Sequence, residues 1–262
     1  MRVALCQMNA GDEPEANRKA AGELLEEAAD GGADLAGLPE LFTYLGPSSR
    51  HRAVAEPIPG PTSAWLQETA RRRGVWILGG SFLEADLDRI YNTSLLIDRR
   101  GDVVARYRKI HRFDVDLPGQ PAIRESATTS AGEDVVSADT EFGVAGMSIC
   151  YDLRFPELYR RLKASDLIVV PAAFTATTGQ AHWEALLRAR AIENLCYVLA
   201  SAQGGRHDNG RATFGHSMLV DPWGEVLAVR PNGAGIVLGT VEPARIAACR
   251  ASLPALAHRV LQ

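Results

Sequence analysis

Three polar residues that follow apolar, strand-like runs could carry out nucleophilic chemistry: Glu40, Lys109 and Cys150. A thiol is a poor nucleophile until it loses its proton, so it needs a base or a cation nearby. A carboxylate can accept the thiol proton, and an ammonium group can stabilise both the thiolate and a developing oxyanion. The three residue types together form a coherent set for an activated cysteine nucleophile.

Each of these residues also has a purely structural interpretation. Glu40 could be a helix N-terminal residue stabilised by the helix dipole. Lys109 could be an exposed lysine in a basic strand, and Cys150 could be a buried thiol. A cysteine with a histidine base is a further alternative, since the chain has six histidines and sequence alone places none of them relative to Cys150.

The elements that must position these residues alternate between short apolar runs and amphipathic segments. Residues 3–7 and 34–38 predict strands, and residues 13–29 predict a helix with Asp12 as its N-cap. Further strands are predicted over 75–79, 91–97, 103–107, 143–149, 166–170, 197–200, 213–220, 226–229 and 235–241, and further helices over 62–73, 156–163 and 180–194. This order mixes crossovers with hairpins, which favours two packed mixed sheets with helices outside, in a single domain over residues 1–262.

Composition excludes several classes of partner. The chain has 262 residues, 46% of them hydrophobic and 23% charged, with a net charge of −4, so it can bury a core and shows no basic surface for a nucleic acid. No apolar stretch is long enough to span a bilayer, and the N-terminus is too polar for a signal peptide. The four cysteines are widely scattered, which predicts reduced thiols in a cytoplasmic protein.

Three segments resemble the signature blocks of the nitrilase superfamily of carbon–nitrogen hydrolases, in the family's order. They are residues 37–42 (GLPELF), 107–111 (YRKIH) and 148–158 (SICYDLRFPEL), and the similarity runs from Val3 to about His258. The resemblance implies an α/β fold, a four-layer αββα sandwich with two mixed sheets. It also implies a Glu–Lys–Cys triad at Glu40, Lys109 and Cys150 that needs no metal or organic cofactor.

The same resemblance implies a fourth site residue and a mechanism. Glu125, in the segment 118–126, matches a second family glutamate that lines the site and orients the lysine or the substrate. Glu40 would take the proton of Cys150, and the thiolate would attack the amide carbon. Lys109 and the backbone N–H of Tyr151 would hold the oxyanion of the tetrahedral intermediate.

Substrate-binding residues follow from position and charge. Arg154 comes just after the nucleophile, where its guanidinium could bind a substrate carboxylate in a two-pronged manner. The alternative is an internal ion pair of Arg154 with Glu157 or Asp152.

Two branches of the superfamily compete for this chain, namely deaminated glutathione amidases and omega-amidases that act on 2-oxoglutaramate or 2-oxosuccinamate. The segments 187–193, 203–207 and 211–218 resemble the first branch, and residues 109–116 resemble the second. We favour the first, with Arg206 and His207 meeting the extra carboxylate of a peptide-like leaving group. The alternative for this loop is a solvated hairpin tip.

Other functions rank lower. A catalytically silent relative used as a binding module stays open, although the intact triad argues against it. Nitrile-hydrolysing relatives typically have tryptophan after the nucleophile, whereas this chain has Tyr151. The resemblance also implies a homodimer acting on a small-molecule amide, with no nucleic-acid or membrane partner. The tail over residues 253–262 departs from the family pattern and leaves the details of dimer contacts open.

Overall fold

Two mixed sheets form the centre of the protein in the computed structural model, which describes residues 1–118, 122–162 and 164–260. In these ranges the first sheet has seven strands: β1 (Arg2–Gln7), β2 (Leu35–Gly37), β3 (Trp76–Leu78), β4 (Phe82–Asp86), β5 (Arg89–Ile97), β6 (Val103–Arg108) and β17 (Gly235–Thr240). Their order is β17-β1-β2-β3-β5-β4, and β6 also pairs with β5. Strands β1, β2 and β3 are parallel, whereas β17, β4 and β6 join in antiparallel pairs.

The second sheet consists of six strands in the described ranges: β9 (Ser137–Thr140), β10 (Gly143–Met147), β11 (Leu167–Ala172), β12 (Tyr197–Ala202), β15 (Ser217–Val220) and β16 (Val226–Arg230). Their order is β16-β15-β12-β11-β10-β9, with a parallel centre. Two short ribbons stand apart from the sheets. They pair β7 (Asp114–Val115) with β8 (Ile123–Arg124), and β13 (Gly204–Arg206) with β14 (Ala212–Phe214).

The helices connect and cover the sheets. The α-helices are α1 (Pro14–Asp30), α2 (His51–Val54), α3 (Pro61–Arg73), α4 (Pro156–Arg161), α5 (Ala176–Asn194) and α6 (Pro243–Ser252). Short 3-10 turns occupy Ser48–Arg50, Glu125–Ala127 and Cys150–Arg154. Within the described ranges, no helix is both long enough and apolar enough to cross a membrane.

Side-chain alternation along β1 shows how the layers form. Val3 and Leu5 belong to the core that both sheets share, whereas Ala4 and Cys6 belong to the core beneath α1 and α3. Successive residues of a strand point to opposite faces, so the first sheet lies between the second sheet and these helices. On the other side, α5 packs against β12. The predicted αββα sandwich is confirmed.

Two of the differences between the observed elements and the sequence predictions have clear physical reasons. The single strand predicted over residues 213–220 is wrong, because Gly215 (φ 70°) and His216 (φ 57°) adopt left-handed backbone that separates β14 from β15. Helix α5 begins before the predicted residue 180 because the Thr175 hydroxyl caps it by accepting from the Thr178 N–H at 3.3 Å. The helix predicted over 156–163 is observed as α4, and its last predicted residue lies outside the described ranges.

Candidate active site

The structure brings the ends of four segments together around one buried thiol. Glu40 lies three residues after β2, Lys109 directly after β6, and Glu125 directly after β8. Cys150 begins the 3-10 turn that follows β10, so the second sheet positions the thiol, the first sheet positions Glu40 and Lys109, and the β7–β8 ribbon positions Glu125.

The Lys109 ammonium links two carboxylates. Its Nζ lies 2.8 Å from Glu40 Oε1 and 2.8 Å from Glu125 Oε2, and the lysine side chain is almost wholly buried. Burial alone would lower the pKa of Lys109, but the charges of Glu125 and then Glu40 outweigh it and raise this pKa well above its usual value. Lys109 therefore stays protonated and presents a fixed positive charge beside the thiol.

Glu125 is held as a carboxylate. Burial would raise the pKa of Glu125, but the Lys109 charge and the bond from the lysine outweigh burial, so the pKa is lowered. The Phe113 backbone N–H also donates to Glu125 Oε2, at 2.6 Å. The negative charge of Glu125, which favours the protonated form of Lys109, is thereby held beside the ammonium group.

Asn92, on β5, is a site residue that the sequence reasoning missed. Its Nδ2 donates to Glu40 Oε1 at 2.9 Å and to Glu125 Oε1 at 3.2 Å, so one amide group bridges the two carboxylates. Its backbone carbonyl also accepts from the Lys109 N–H at 2.9 Å. The available signal was an asparagine within a predicted strand, since an amide that becomes buried there must find partners.

The second oxygen of Glu40 is also fixed. The backbone N–H of Ala173, just after β11, donates to Glu40 Oε2 at 2.9 Å. Gln203 Nε2 donates to the Glu40 carbonyl at 3.0 Å, and the next residue, Leu41, adopts left-handed backbone with φ 51°. The carboxylate is thus oriented by bonds from both sheets, which suits a base that must act in one geometry.

Cys150 itself adopts left-handed backbone, with φ 47°, which is uncommon for a non-glycine residue. The Asp152 carboxylate holds this turn by accepting from the Ile149 N–H at 2.9 Å and from the Tyr107 hydroxyl at 2.7 Å. Strained backbone of this kind persists where surrounding contacts fix it, and it often occurs at active sites.

The surroundings of the Cys150 thiol favour its protonated form. Burial raises its pKa first, and the neighbouring Glu40 charge raises it further, while the charge of Lys109 lowers it to a smaller extent. The net pKa lies well above the usual value for cysteine. The arrangement therefore favours a protonated thiol beside Glu40 over a resting thiolate.

A cavity of about 260 Å³ opens onto this group, and Glu40, Lys109, Glu125 and Cys150 line it. Its remaining walls come from the segment around α2, from the β8 region and from the β13–β14 ribbon. Charged or polar side chains on these walls include His51, Arg124, Thr128, Thr175, Arg211 and Thr213. The size and lining suit a small polar substrate.

Tyr151 and Arg154 lie on a second, much smaller space of about 10 Å³ that Cys150 also lines. The Arg154 guanidinium carbon lies 5.1 Å from the centre of the Phe174 ring, and Nη1 is 3.2 Å from His182 Nδ1. In the described ranges, Arg154 forms no ion pair with Glu157 or Asp152. Arg154 is therefore a cation without a carboxylate partner in these ranges, on a space that Cys150 also lines.

Arg206 and His207 are neighbours in the chain, but their side chains lie in different surroundings. Arg206 is exposed and does not line the cavity in the described structure. His207 is buried, and its ring nitrogens lie 2.7 Å from the Ala10 carbonyl and 2.6 Å from Thr213 Oγ1. The same hairpin instead places Arg211 on the cavity wall.

Comparison with known proteins identifies a family to which the chain is similar. Residues 2–251 match the family model described as carbon-nitrogen hydrolase. The chain is 44% identical to the deaminated glutathione amidase of Synechocystis sp. strain PCC 6803, over 98% of this chain and 97% of that protein. It is 43% identical to the deaminated glutathione amidase of Bos taurus, over 98% of this chain and 81% of that protein.

A solved structure shows the same fold. The crystal structure of the Caenorhabditis elegans NitFhit protein is similar to this chain with a TM-score of 0.90 and 37% identity. The similarity covers 99% of this chain and 65% of the NitFhit chain. This chain thus corresponds to one part of that longer protein.

Proposed function

This chain belongs to the carbon–nitrogen hydrolase family of the nitrilase superfamily, and on that premise we propose that it is an amidase that hydrolyses deaminated glutathione through a Cys150 thioester. One observation carries the mechanism: Glu40, Lys109 and Cys150 form a buried group on a cavity, with Lys109 Nζ 2.8 Å from Glu40 Oε1. The choice of deaminated glutathione as substrate rests on the similarity to the two relatives.

All three residues of the group take part in acylation. Glu40 accepts the Sγ proton of Cys150 while the sulfur forms a bond to the amide carbon. The Lys109 ammonium and the Tyr151 backbone N–H stabilise the oxyanion. The C–N bond then breaks as Glu40 returns the proton to the nitrogen, and cysteinylglycine leaves.

Deacylation repeats the same proton path with water. Glu40 takes a proton from a water molecule as its oxygen attacks the thioester carbon, and the oxyanion again lies against Lys109. The C–S bond breaks, the proton returns to sulfur, and 2-oxoglutarate leaves. Glu125 and Asn92 keep Lys109 and Glu40 in position through both steps.

Arg154 is proposed to bind the 2-oxo acid carboxylate of the acyl part. It is a cation on the small space beside Cys150 that has no carboxylate partner in the described ranges, and its guanidinium is supported by the Phe174 ring. The space of about 10 Å³ holds about one water-sized group, so the side chains around it must move to admit an acyl chain. Truncation of Arg154 should impair every 2-oxo acid amide alike.

The second candidate function is that of an omega-amidase releasing ammonia from 2-oxoglutaramate or 2-oxosuccinamate. The segment 109–116 favours it, because its sequence resembles that branch. Both functions need the same triad and the same acyl group for 2-oxoglutaramate, and they differ in the amine that leaves.

The experiment is hydrolysis of deaminated glutathione, 2-oxoglutaramate and 2-oxosuccinamate by the wild-type protein and two cysteine variants. We expect deaminated glutathione to have the highest kcat/KM, and Cys150→Ala to abolish its turnover. Cys249→Ala is the matched control, since Cys249 is also a buried free thiol but lies on α6. Higher kcat/KM for 2-oxoglutaramate would favour the second candidate, and full activity in Cys150→Ala would exclude the thioester mechanism.

We further propose a cytoplasmic homodimer. All four cysteines are free and buried, in keeping with a reducing compartment. Ile192 on α5 and Trp223 in the β15–β16 turn are large apolar residues that are 45% and 55% exposed, which supports an interface on this side. Sedimentation equilibrium should give twice the chain mass, and a monomer at micromolar concentration would contradict the dimer.

A further inference from the structure

Three cationic side chains line the main cavity, and two of them are neutralised by neighbours. Lys109 is paired with Glu40 and Glu125. Arg124 Nη2 donates to both oxygens of Asp116, each at 2.7 Å. Arg211 is different, since it forms no ion pair across residues 1–118, 122–162 and 164–260.

The histidine on the same wall does not supply a second charge. Burial lowers the pKa of His51, and the positive charge of Arg211 lowers it further. His51 Nδ1 is also engaged, at 2.9 Å from Thr128 Oγ1. The guanidinium of Arg211 is thus the cation on this wall that is available to pair with a bound anion.

The hairpin that carries Arg211 is anchored, although Arg211 itself is an exposed residue. The His207 N–H donates to the Arg211 carbonyl at 2.8 Å, and the His207 ring contacts Ala10 and Thr213. Thr213 lies two residues after Arg211 and also lines the cavity. The backbone position of Arg211 is therefore fixed, whereas Arg206, at the other end of the hairpin, does not line the cavity in the described structure.

We infer that Arg211 is a specificity-determining residue that binds the terminal carboxylate of the leaving amine, an inference that rests on the proposed function. Deaminated glutathione has a carboxylate on each side of the scissile amide, one on the 2-oxo acid and one on the terminal glycine. Cys150 lines both spaces, with Arg154 on the small one and Arg211 on the large one. Each arginine thus shares a space with Cys150, so deaminated glutathione can use both guanidinium groups, while 2-oxoglutaramate, with a single carboxylate, can use one of them alone.

The test compares three substrates: deaminated glutathione, its analogue ending in glycinamide, and 2-oxoglutaramate. For the wild type, kcat/KM for the acid should exceed that for the glycinamide by about 10-fold, a modest factor because Arg211 is exposed to solvent. Arg211→Gln should remove this preference, through KM rather than kcat, and change the other two substrates by less than about twofold. Arg211→Lys should retain part of the preference, since it keeps the charge without the planar fork.

Arg206→Gln is the matched control from the same hairpin and should leave all three substrates unchanged. Equal kcat/KM for the acid and the glycinamide in an active wild-type protein would overturn the Arg211 subsite and leave the proposed function standing. Equal losses for all three substrates in Arg211→Gln would also overturn it, since the residue would then bind the acyl part or support the fold. Failure of the wild type to hydrolyse deaminated glutathione would overturn the proposed function and the subsite together.

Discussion

Two buried glutamates near the first sheet have similar surroundings, although chemistry is proposed for only one of them. Glu84 and Glu40 are both almost wholly buried and both contact cationic side chains. Glu84 accepts from Thr93 Oγ1 at 2.6 Å and from Arg108 Nε at 3.0 Å, and Arg106 also pairs with it. All these partners come from the adjoining strands β5 and β6, and Glu84 does not line either described cavity near Cys150.

Glu40 takes its partners from separated parts of the chain. Lys109 follows β6, Asn92 lies on β5, and Ala173 follows β11 in the other sheet. The carboxylate lines the main cavity together with Cys150. Burial and ion pairing are therefore common to both glutamates, and what distinguishes Glu40 is access to a thiol and to space for a substrate.

The largest difference should appear in activity. Glu40→Gln removes the base while keeping the side-chain volume, so kcat should fall by about 10³- to 10⁴-fold. Glu84→Gln should change kcat by less than about threefold, because Glu84 contacts no reacting group. Steady-state kinetics on both variants measures this, and similar losses in the two would remove the distinction.

The two variants should rank in the opposite order for stability, with Glu84→Gln losing more free energy of unfolding than Glu40→Gln. Glu84→Gln leaves two arginines beside a neutral amide, and because both are partly exposed we expect a loss of about 2–4 kcal/mol in the free energy of unfolding. Glu40→Gln should lose less, since Lys109 keeps Glu125 as its partner. Urea titration of the two variants is the measurement. A greater loss in Glu40→Gln would mean that the active-site cluster is the main stabilising one.

Asn92 should have a smaller effect on catalysis than Glu40. Asn92→Ala removes the amide that bridges Glu40 and Glu125, so the base loses one restraint and kcat should fall by about 10- to 100-fold. The control is Ser94→Ala on the same strand, because the buried Ser94 hydroxyl has no hydrogen-bond partner among the described residues. Equal activity in both variants would show that Glu40 needs no support from Asn92.

The smallest effect should be a change in acid sensitivity. Because the pKa of Glu125 is lowered in the folded protein, its contribution to stability is complete above the unfolded-state value, about 4.3. That contribution is lost as pH falls through the lower folded-state pKa. In Glu125→Gln, the free energy of unfolding should therefore depend less steeply on pH below about 4.3 than in the wild type. Identical slopes would contradict the ionised state assigned to Glu125.

Local sequence predicted much of this site because its key residues lie in contiguous segments that each end a strand. Glu40, Lys109 and Cys150 follow apolar runs that form β2, β6 and β10, so their placement depends on strand ends more than on distant contacts. The two-sheet fold was predictable for the same reason, from alternating strand-like and helical segments. The catalytic roles of these residues stay predictions until they are tested.

The remainder depends on contacts that the sequence does not encode locally. Asn92 becomes a site residue because β5 lies beside the end of β6. The sequence of β5 alone does not identify the hydrogen-bond partners of Asn92. In the hairpin around residue 208, the turn and the buried His207 decide that Arg211 rather than Arg206 lines the cavity. The predicted strand over 213–220 is interrupted by left-handed backbone at Gly215 and His216, although its residues have strand propensity.

Attack by Cys150 can be observed directly by intact-mass analysis of the protein after rapid mixing with deaminated glutathione and quenching in acid. We expect a transient 2-oxoglutaryl adduct that peptide mapping locates on Cys150, absent from Cys150→Ala and present in Cys249→Ala. It also predicts that Glu40→Gln forms the adduct far more slowly. Substrate turnover with an adduct on another residue, or turnover that persists in Cys150→Ala, would contradict the central claim that Cys150 attacks the amide.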